Sequence, residues 1–418
     1  MNIEVLNTGT ELLLGSVTNT HLPFFAQALF PLGLRIGRQV ALPDGEGIAG
    51  GIADAFPRAE VVLVTGGLGP TTDDITRDVV ADLLGRPLRR DGALLDALAR
   101  RYADRGREMP DRVARQAEVP EGAIILPNPN GTAPGLYLQC PAGALADHLV
   151  HLFLLPGPPR ELYPMFEVSV VPILLELAPK NEKELYRLYQ FVGIGESQVE
   201  AAVGESLLAI PGLELGYCAR PGEVDVRCIG RAEALQAAHQ IILRELGERL
   251  VSSDGRTLEA TVVDTLLERR ETIATAESCT GGALAHRLTN VPGASGAFIA
   301  GYVTYSNEAK SLDLGVNPLE IERHGAVSRE IALAMAEGAL RRSGTDWALS
   351  TTGIAGPGGA TAEKPLGTVY IALARRGFAT HVEHHCFARE REEFKEIASG
   401  AALDLLRRAF AWSRAGSA

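Results

Sequence analysis

Apolar positions recur along this chain with two periods, and the places where one gives way to the other mark out its elements. Runs rich in β-branched residues, such as IEVLNTG at 3–9 and VVLVTGG at 61–67, read as buried strands. Each ends in a turn-forming cluster. In TGGLGPTTDDITRDVVADLLG at 65–85, Ile75, Val79 and Leu83 fall on one helical row, Thr71 or Thr72 is placed to cap it, and Asp73 and Asp74 occupy its first turn, where the helix dipole favours anions. Asp78 and Asp82 continue the row from Asp74, and Asp82 reads as a solvated position.

Strand and helix alternate in this way over residues 1–177, which predicts an α/β domain with a mainly parallel sheet. The polar stretch APKNEKE at 178–184 breaks the pattern. A smaller block, 178–254, combines the strand-like VDVRCIG with the helical RAEALQAAHQIILRELGERL and predicts a compact α+β module. The third block, 255–418, opens on an amphipathic helix preceded by Ser253 or Asp254. It returns to strand–turn–helix passages and ends in AWSRAGSA, a tail expected to fray. The blocks are fused units without internal repeats.

Composition narrows the function classes. With 46% hydrophobic and 22% charged residues over 418 positions, each block is large enough to bury a core. The net charge of −12 argues against a mainly electrostatic nucleic-acid binder. The longest apolar runs fall short of the ~18 residues a membrane helix needs, and the start MNIEVLNTGTELLLG lacks the basic region of a signal peptide, so the cytoplasm is the expected compartment. Five cysteines, at 140, 218, 228, 279 and 386, are scattered without CxxC pairs or neighbouring histidines. They suggest neither a zinc site nor a disulfide framework.

The densest chemistry lies in ATAESCTGG at 274–282. A strand through Ile273 and Thr275 meets a sharp turn, and GALAHRLTNV follows with Leu284, Leu288 and Val291 at helical spacing. This places Ser278 or Cys279 on the turn, beside the backbone N–H groups of Thr280, Gly281 and Gly282. Such a turn suits acyl transfer, with an attacking group next to donors for an oxyanion. The bland alternative is a Gly-Gly pair that only lets a helix pack closely.

A second passage, GYVTYSNEAKSLDLGV at 301–316, has Ser306 capping a helix from Asn307, with Lys310 in its first turn. The dipole there opposes an ammonium, so the position depresses the lysine pKa, and a neutral Lys310 could take the proton of Ser278. Tyr305 is placed to relay a proton or to hold the lysine. Alternation along an extended chain turns Glu277 and Cys279 away from the Ser278 side, yet Cys279 with Glu277 and Lys310 would also supply the residue types of a nitrilase-like amidase. The loop GIAGPGG at 353–359, with Gly353, Gly356, Gly358 and Gly359, offers backbone donors and little bulk to a phosphate or ribose. Thr351 and Thr352 lie at the same mouth.

ESCTGG, GYVTYSNEAK, HGAVS at 324–328, STTGIAGPGG at 350–359 and KPLGTVYIAL at 364–373 together resemble the CinA C-terminal domain, the nicotinamide mononucleotide deamidase family. The resemblance implies a three-layer α/β domain that hydrolyses the carboxamide to a carboxylate and releases ammonia. Ser278 would be the nucleophile, Lys310 the base and Tyr305 an assistant, with no cofactor. It favours Ser278 over Cys279.

In the first block, Gly66, Gly67 and Gly69 with Pro70 form an N–H-rich turn. Asp73 and Asp74 are joined by Glu11 from NTGTELLLG at the same end of the sheet, where α/β ligands usually bind. Three carboxylates beside such a turn suit a divalent cation and a diphosphate. These segments, with NPNGTAPG at 128–135 and LPGPPRE at 155–161, resemble the CinA N-terminal domain, a relative of the molybdopterin-binding fold with a three-layer α/β architecture. For the full-length family this implies an ADP-ribose pyrophosphatase using Mg, Mn or Co held by Glu11, Asp73 and Asp74, with Asn128, Asn130 and Gly131 lining the nucleotide pocket.

The middle block resembles the family's KH-type insert. However, GIGE at 193–196 is not the GxxG loop that clamps RNA, so it reads as a spacer or dimer element. The leading expectation is a bifunctional pyridine-nucleotide salvage hydrolase, a homodimer acting on nicotinamide mononucleotide and ADP-ribose. The alternatives are a deamidase whose first domain only binds a pterin or nucleotide, and a competence-associated interaction protein.

Overall fold

The computed structural model describes residues 1–45, 47–178 and 184–415, and the chain divides into two compact units, 1–183 and 184–418. Most of the predicted APKNEKE break therefore lies outside the described residues.

The first unit is built on a six-stranded sheet in the order Ile36–Leu42, Ile3–Thr8, Val61–Thr65, Val150–Leu155, Gly135–Cys140, Ile124–Leu126. The first four strands run parallel, Gly135–Cys140 pairs antiparallel to Val150–Leu155, and Ile124–Leu126 pairs antiparallel to Gly135–Cys140. Alternation along the strands explains the layering. Val62, Val64, Leu152 and Leu154 face one core with Ile48, Ile52 and Val80 from helices. Val61, Leu63, Phe153 and Leu155 face another with Phe25, Leu29, Leu162 and Leu174. Helices thus cover both faces of the sheet.

In the second unit, a four-stranded antiparallel sheet (Glu214–Arg220, Glu223–Gly230, Leu185–Val192, Leu250–Ser252) buries Tyr189, Phe191 and Val226 against helical Val199, Leu235 and Ile242. The larger sheet runs Phe298–Val303, Ile273–Glu277, Trp347–Gly353, Thr368–Arg375, His381–Cys386, with the first three strands parallel. One face presents Ala274, Ala276, Ala348 and Ala372 to the Arg329–Ser343 helix, which packs close enough for the Ser350 hydroxyl to donate to the Ala332 carbonyl at 2.6 Å. The opposite face packs Ile273, Leu349 and Ile371 against the Leu258–Arg269 and Arg391–Ala415 helices. No helix among the described residues is long and apolar enough to cross a membrane.

Several local expectations change. The helix after TGGLGPTTDD starts at Thr76 without a side-chain cap, so Asp73 and Asp74 precede it instead of occupying its first turn. The reason is local: the Asp74 carboxylate accepts from the Thr71 N–H at 2.8 Å and from its hydroxyl, and Thr76 N–H closes onto the Gly67 carbonyl at 3.1 Å. These bonds fold 71–74 into a separate turn. Thr257, not Ser253 or Asp254, caps the third block's first helix. The final helix runs over Arg391–Ala415, so the expected tail begins within it, and 416–418 lie outside the described residues.

Candidate active site

Parallel pairing brings the carboxyl ends of three strands level. Glu277 lies opposite Val303 on one side and Thr351 on the other. The residues leaving those strands therefore meet at one sheet edge, the usual ligand end of an α/β sheet. Ser278 N–H donates to the Thr351 carbonyl at 2.9 Å, and Thr304 N–H to the Glu277 carbonyl at 2.9 Å.

Glu277 is fully buried and anchors the turn. Its carboxylate accepts from the Thr280 hydroxyl at 2.7 Å and from the N–H groups of Gly282, Leu284 and Ala285 at 2.9, 3.0 and 2.8 Å. The Ala283–Thr289 helix thus starts on a carboxylate from the strand before it. Gly281 and Gly282, with φ of +57° and +96°, make the left-handed step that a side chain would oppose.

The N–H groups of Gly281 and Gly282, expected to face an oxyanion, are engaged within the turn. Gly281 donates to the Ser278 carbonyl at 3.1 Å, and Gly282 to Glu277. The Thr280 and Thr351 hydroxyls bond each other at 2.7 Å, and Thr352 donates to the Ala326 carbonyl at 2.7 Å. All three threonines are buried and knit the edge together. Gly353 ends its strand, and Gly356 and Gly359 adopt φ of +81° and +89°; around Gly358 there is open space.

Lys310 lies on the Asn307–Leu314 helix, which Ser306 caps by accepting from Ala309 N–H at 3.1 Å. The lysine is 1% exposed, and its amine lies 3.2 Å from the Ser278 hydroxyl oxygen. Its other contacts are neutral: the carbonyls of Thr304 at 2.9 Å, Tyr305 at 3.3 Å and Ser306 at 3.5 Å. Among the described residues no carboxylate pairs with it. Burial holds its pKa below the ordinary lysine value, against a smaller upward pull from Cys279. The Cys279 thiol is buried in the core and pushed up to about 12, chiefly by desolvation, so it is neither ionised nor exposed for attack.

The Tyr305 side chain is 59% exposed, and its hydroxyl accepts from Arg391 at 2.7 Å instead of facing the lysine. Arg391 also donates to the Gly356 carbonyl at 2.7 Å, tying Tyr305 to the glycine-rich loop. One helical turn on, Lys395 reaches over the Ser278 turn: a Cβ at Gly281 would sit 3.8 Å from its amine. Sequence spacing marks neither cation, because both lie in the first turns of the last helix, with no turn or nucleophile motif beside them.

In the first unit, Gly66, Gly67, Gly69, Glu11, Asp73 and Asp74 line one cavity of about 350 Å³, which Asp44 and Glu161 also face. Asn128 and Gly131 line a separate, more apolar cavity of about 660 Å³. The Asn128 amide is spent on the Ala133 carbonyl and the Glu161 carboxylate at 2.6 and 2.8 Å, and that of Asn130 on the Arg160 carbonyl at 3.0 Å. Oxygen donors of this kind suit a hard cation. Glu11, Asp73 and Asp74 nevertheless do not converge: among the described residues no three acidic, histidine or cysteine side chains are grouped closely enough to hold an ion. By themselves these side chains do not make a metal site.

Three family descriptions match the chain in order: "Probable molybdopterin binding domain" over residues 4–176, "Damage-inducible protein CinA KH domain" over 186–251 and "CinA C-terminal domain" over 255–410. A CinA-like protein of Akkermansia muciniphila is 45% identical over 403 residues, covering 96% of each chain. One of Chlorobaculum tepidum is 42% identical over 385 residues, covering 90% of each. The crystal structure of a competence-damaged protein (CinA) superfamily protein from Escherichia coli is 34% identical, covers 36% of this chain and 88% of its own, and superposes with a TM-score of 0.35. With the three matches in sequence order and close identity sustained over almost its whole length, the chain belongs to the CinA family.

Proposed function

We propose that the second unit is a serine amidase that hydrolyses the carboxamide of nicotinamide mononucleotide. The observation that carries the reading is the buried Lys310 amine 3.2 Å from the Ser278 hydroxyl, with no carboxylate among the described residues to hold its charge. In its neutral form the amine takes the Ser278 proton as Oγ bonds to the amide carbon. The resulting ammonium returns that proton to the leaving nitrogen, the C–N bond breaks and ammonia departs. Water then attacks the ester, Lys310 takes its proton and passes it to Oγ, and the carboxylate leaves. Lys395, beside the turn at Gly281, gives a phosphate-bearing amide a positive charge that free nicotinamide cannot use.

Ammonia release decides the reading. Ser278→Ala is expected to abolish it and Cys279→Ser to leave it within a few-fold of wild type, with the mononucleotide turned over faster than free nicotinamide. Undiminished release by Ser278→Ala would remove the nucleophile, and loss confined to Cys279→Ser would install its neighbour.

For the first unit we propose binding of a diphosphate nucleotide, ADP-ribose, at the glycine-lined cavity. Five carboxylates face that cavity and no three of them group to hold a cation alone, so a diphosphate would enter together with a cation whose remaining ligands it supplies. Nucleotide and divalent metal therefore stand or fall together.

A further inference from the structure

We propose that the middle module is part of the amidase site: Glu223, at the tip of its hairpin, is a positioning residue that holds the helix leaving the Ser278 turn. The chemistry assigned to Ser278 is the reading given above, and the inference rests on it.

The hairpin of Glu214–Arg220 and Glu223–Gly230 turns at Pro221 and Gly222 and docks on the last helix of the chain. Gly222 has a φ of +77°, and a Cβ there would already lie 3.4 Å from Ile397. Glu223 is 8% exposed, and one of its oxygens accepts from the Arg287 guanidinium at 2.6 Å. The same guanidinium nitrogen donates to Glu259 of the Leu258–Arg269 helix at 2.8 Å. Gln190 donates to the other Glu223 oxygen at 3.1 Å, and Arg220 approaches at 3.5 Å. Gly400 leaves room for the pair, since a Cβ there would meet Arg287 at 3.3 Å. Val192 and Val251 of the module also join the core of the larger sheet.

Arg287 sits in the last turn of the Ala283–Thr289 helix. Two turns of helix do not hold themselves together in water. This one is fixed at its start by Glu277, next to Ser278, and at its end by Arg287. One of the two carboxylates on Arg287 belongs to the middle module, so the module is more than a spacer. Without Glu223 the guanidinium is drawn wholly to Glu259, the helix end moves with it, and the turn carrying Ser278 loses its setting. Displacements of that kind at a nucleophile are costly in rate.

The test uses the full chain with Glu223→Ala, Glu223→Gln and Glu223→Asp. Two rates are measured: ammonia release from nicotinamide mononucleotide, and labelling of Ser278 by phenylmethanesulfonyl fluoride, in which Oγ bonds to sulfur, fluoride leaves and Lys310 accepts the proton. Glu223→Ala and Glu223→Gln are expected to lower kcat and the labelling rate about tenfold with KM little changed, and Glu223→Asp, which keeps the charge, to recover part of both. Unchanged rates, or a lower melting temperature with unchanged rates per folded molecule, overturn the proposal. If the wild type is labelled at Ser278 yet releases no ammonia, the amidase reading fails and the labelling rates alone decide the role of Glu223. A wild type inert to both reagents overturns both. Should Glu223→Ala not fold, Glu223→Gln, which keeps the shape, carries the comparison.

Discussion

Replacing Lys310 by Met separates chemistry from packing, because the unbranched stem survives while the amine is lost. A positioned base is worth 10²–10⁴ in rate, about 3 to 5 kcal/mol of barrier. The structural cost is smaller. Of the three carbonyls that the amine serves, only that of Thr304, at 2.9 Å, receives a short bond, those of Tyr305 and Ser306 lying at 3.3 and 3.5 Å. Leaving one buried carbonyl without a partner costs about 1–3 kcal/mol, offset in part because an amine no longer has to be stripped of water. A domain stable by roughly 5–15 kcal/mol survives that. The catalytic loss should therefore far exceed the change in stability.

The pH dependence sharpens the test. Burial lowers the Lys310 pKa, and the proposed base works as the neutral amine, so wild-type kcat/KM should rise with pH through that lowered value and then level. Between the folded and ordinary pKa values the unfolded chain carries a proton the folded one lacks. Stability should accordingly rise with pH across that window and fall toward neutrality. In Lys310→Met both dependences should flatten. Ammonia release and thermal melts from neutral to alkaline pH measure them. A variant that keeps more than about a tenth of wild-type kcat/KM with its rising limb intact would refute the assignment of Lys310 as base.

Glu277→Gln should destabilise the second unit by about 2–4 kcal/mol, read from the denaturant midpoint, because an amide offers one acceptor where the carboxylate takes four donors. An unchanged midpoint would show that the turn does not depend on it. In the first unit, calorimetry should detect ADP-ribose binding only with Mg²⁺, Mn²⁺ or Co²⁺ present, and chelator or Asp74→Ala should weaken it at least about tenfold. Equally tight binding in chelator would sever the link between nucleotide and metal.

What the chain settled locally is the strand, turn and helix around ESCTGG, the Ser306 cap and the burial of Cys279 away from the Ser278 side. Each follows from neighbours a few residues apart: β-branched runs, paired glycines, a hydroxyl before a helix. The same local signals misplaced Asp73 and Asp74, because a side-chain bond from Asp74 back to Thr71 competes with the helix for those residues. They also left the Gly281 and Gly282 N–H groups free for a ligand, when the donors had partners within the fold. Tertiary structure alone decided that Ser278 and Lys310 meet across 32 positions, that Lys395 comes over Gly281 and Arg391 ties Tyr305 to the glycine-rich loop, and that Glu223 reaches Arg287 at the far end of the Ala283–Thr289 helix. Those outcomes depend on the register of the parallel strands and on which distant charge reaches a buried partner. Neither quantity is written in the spacing of neighbouring residues.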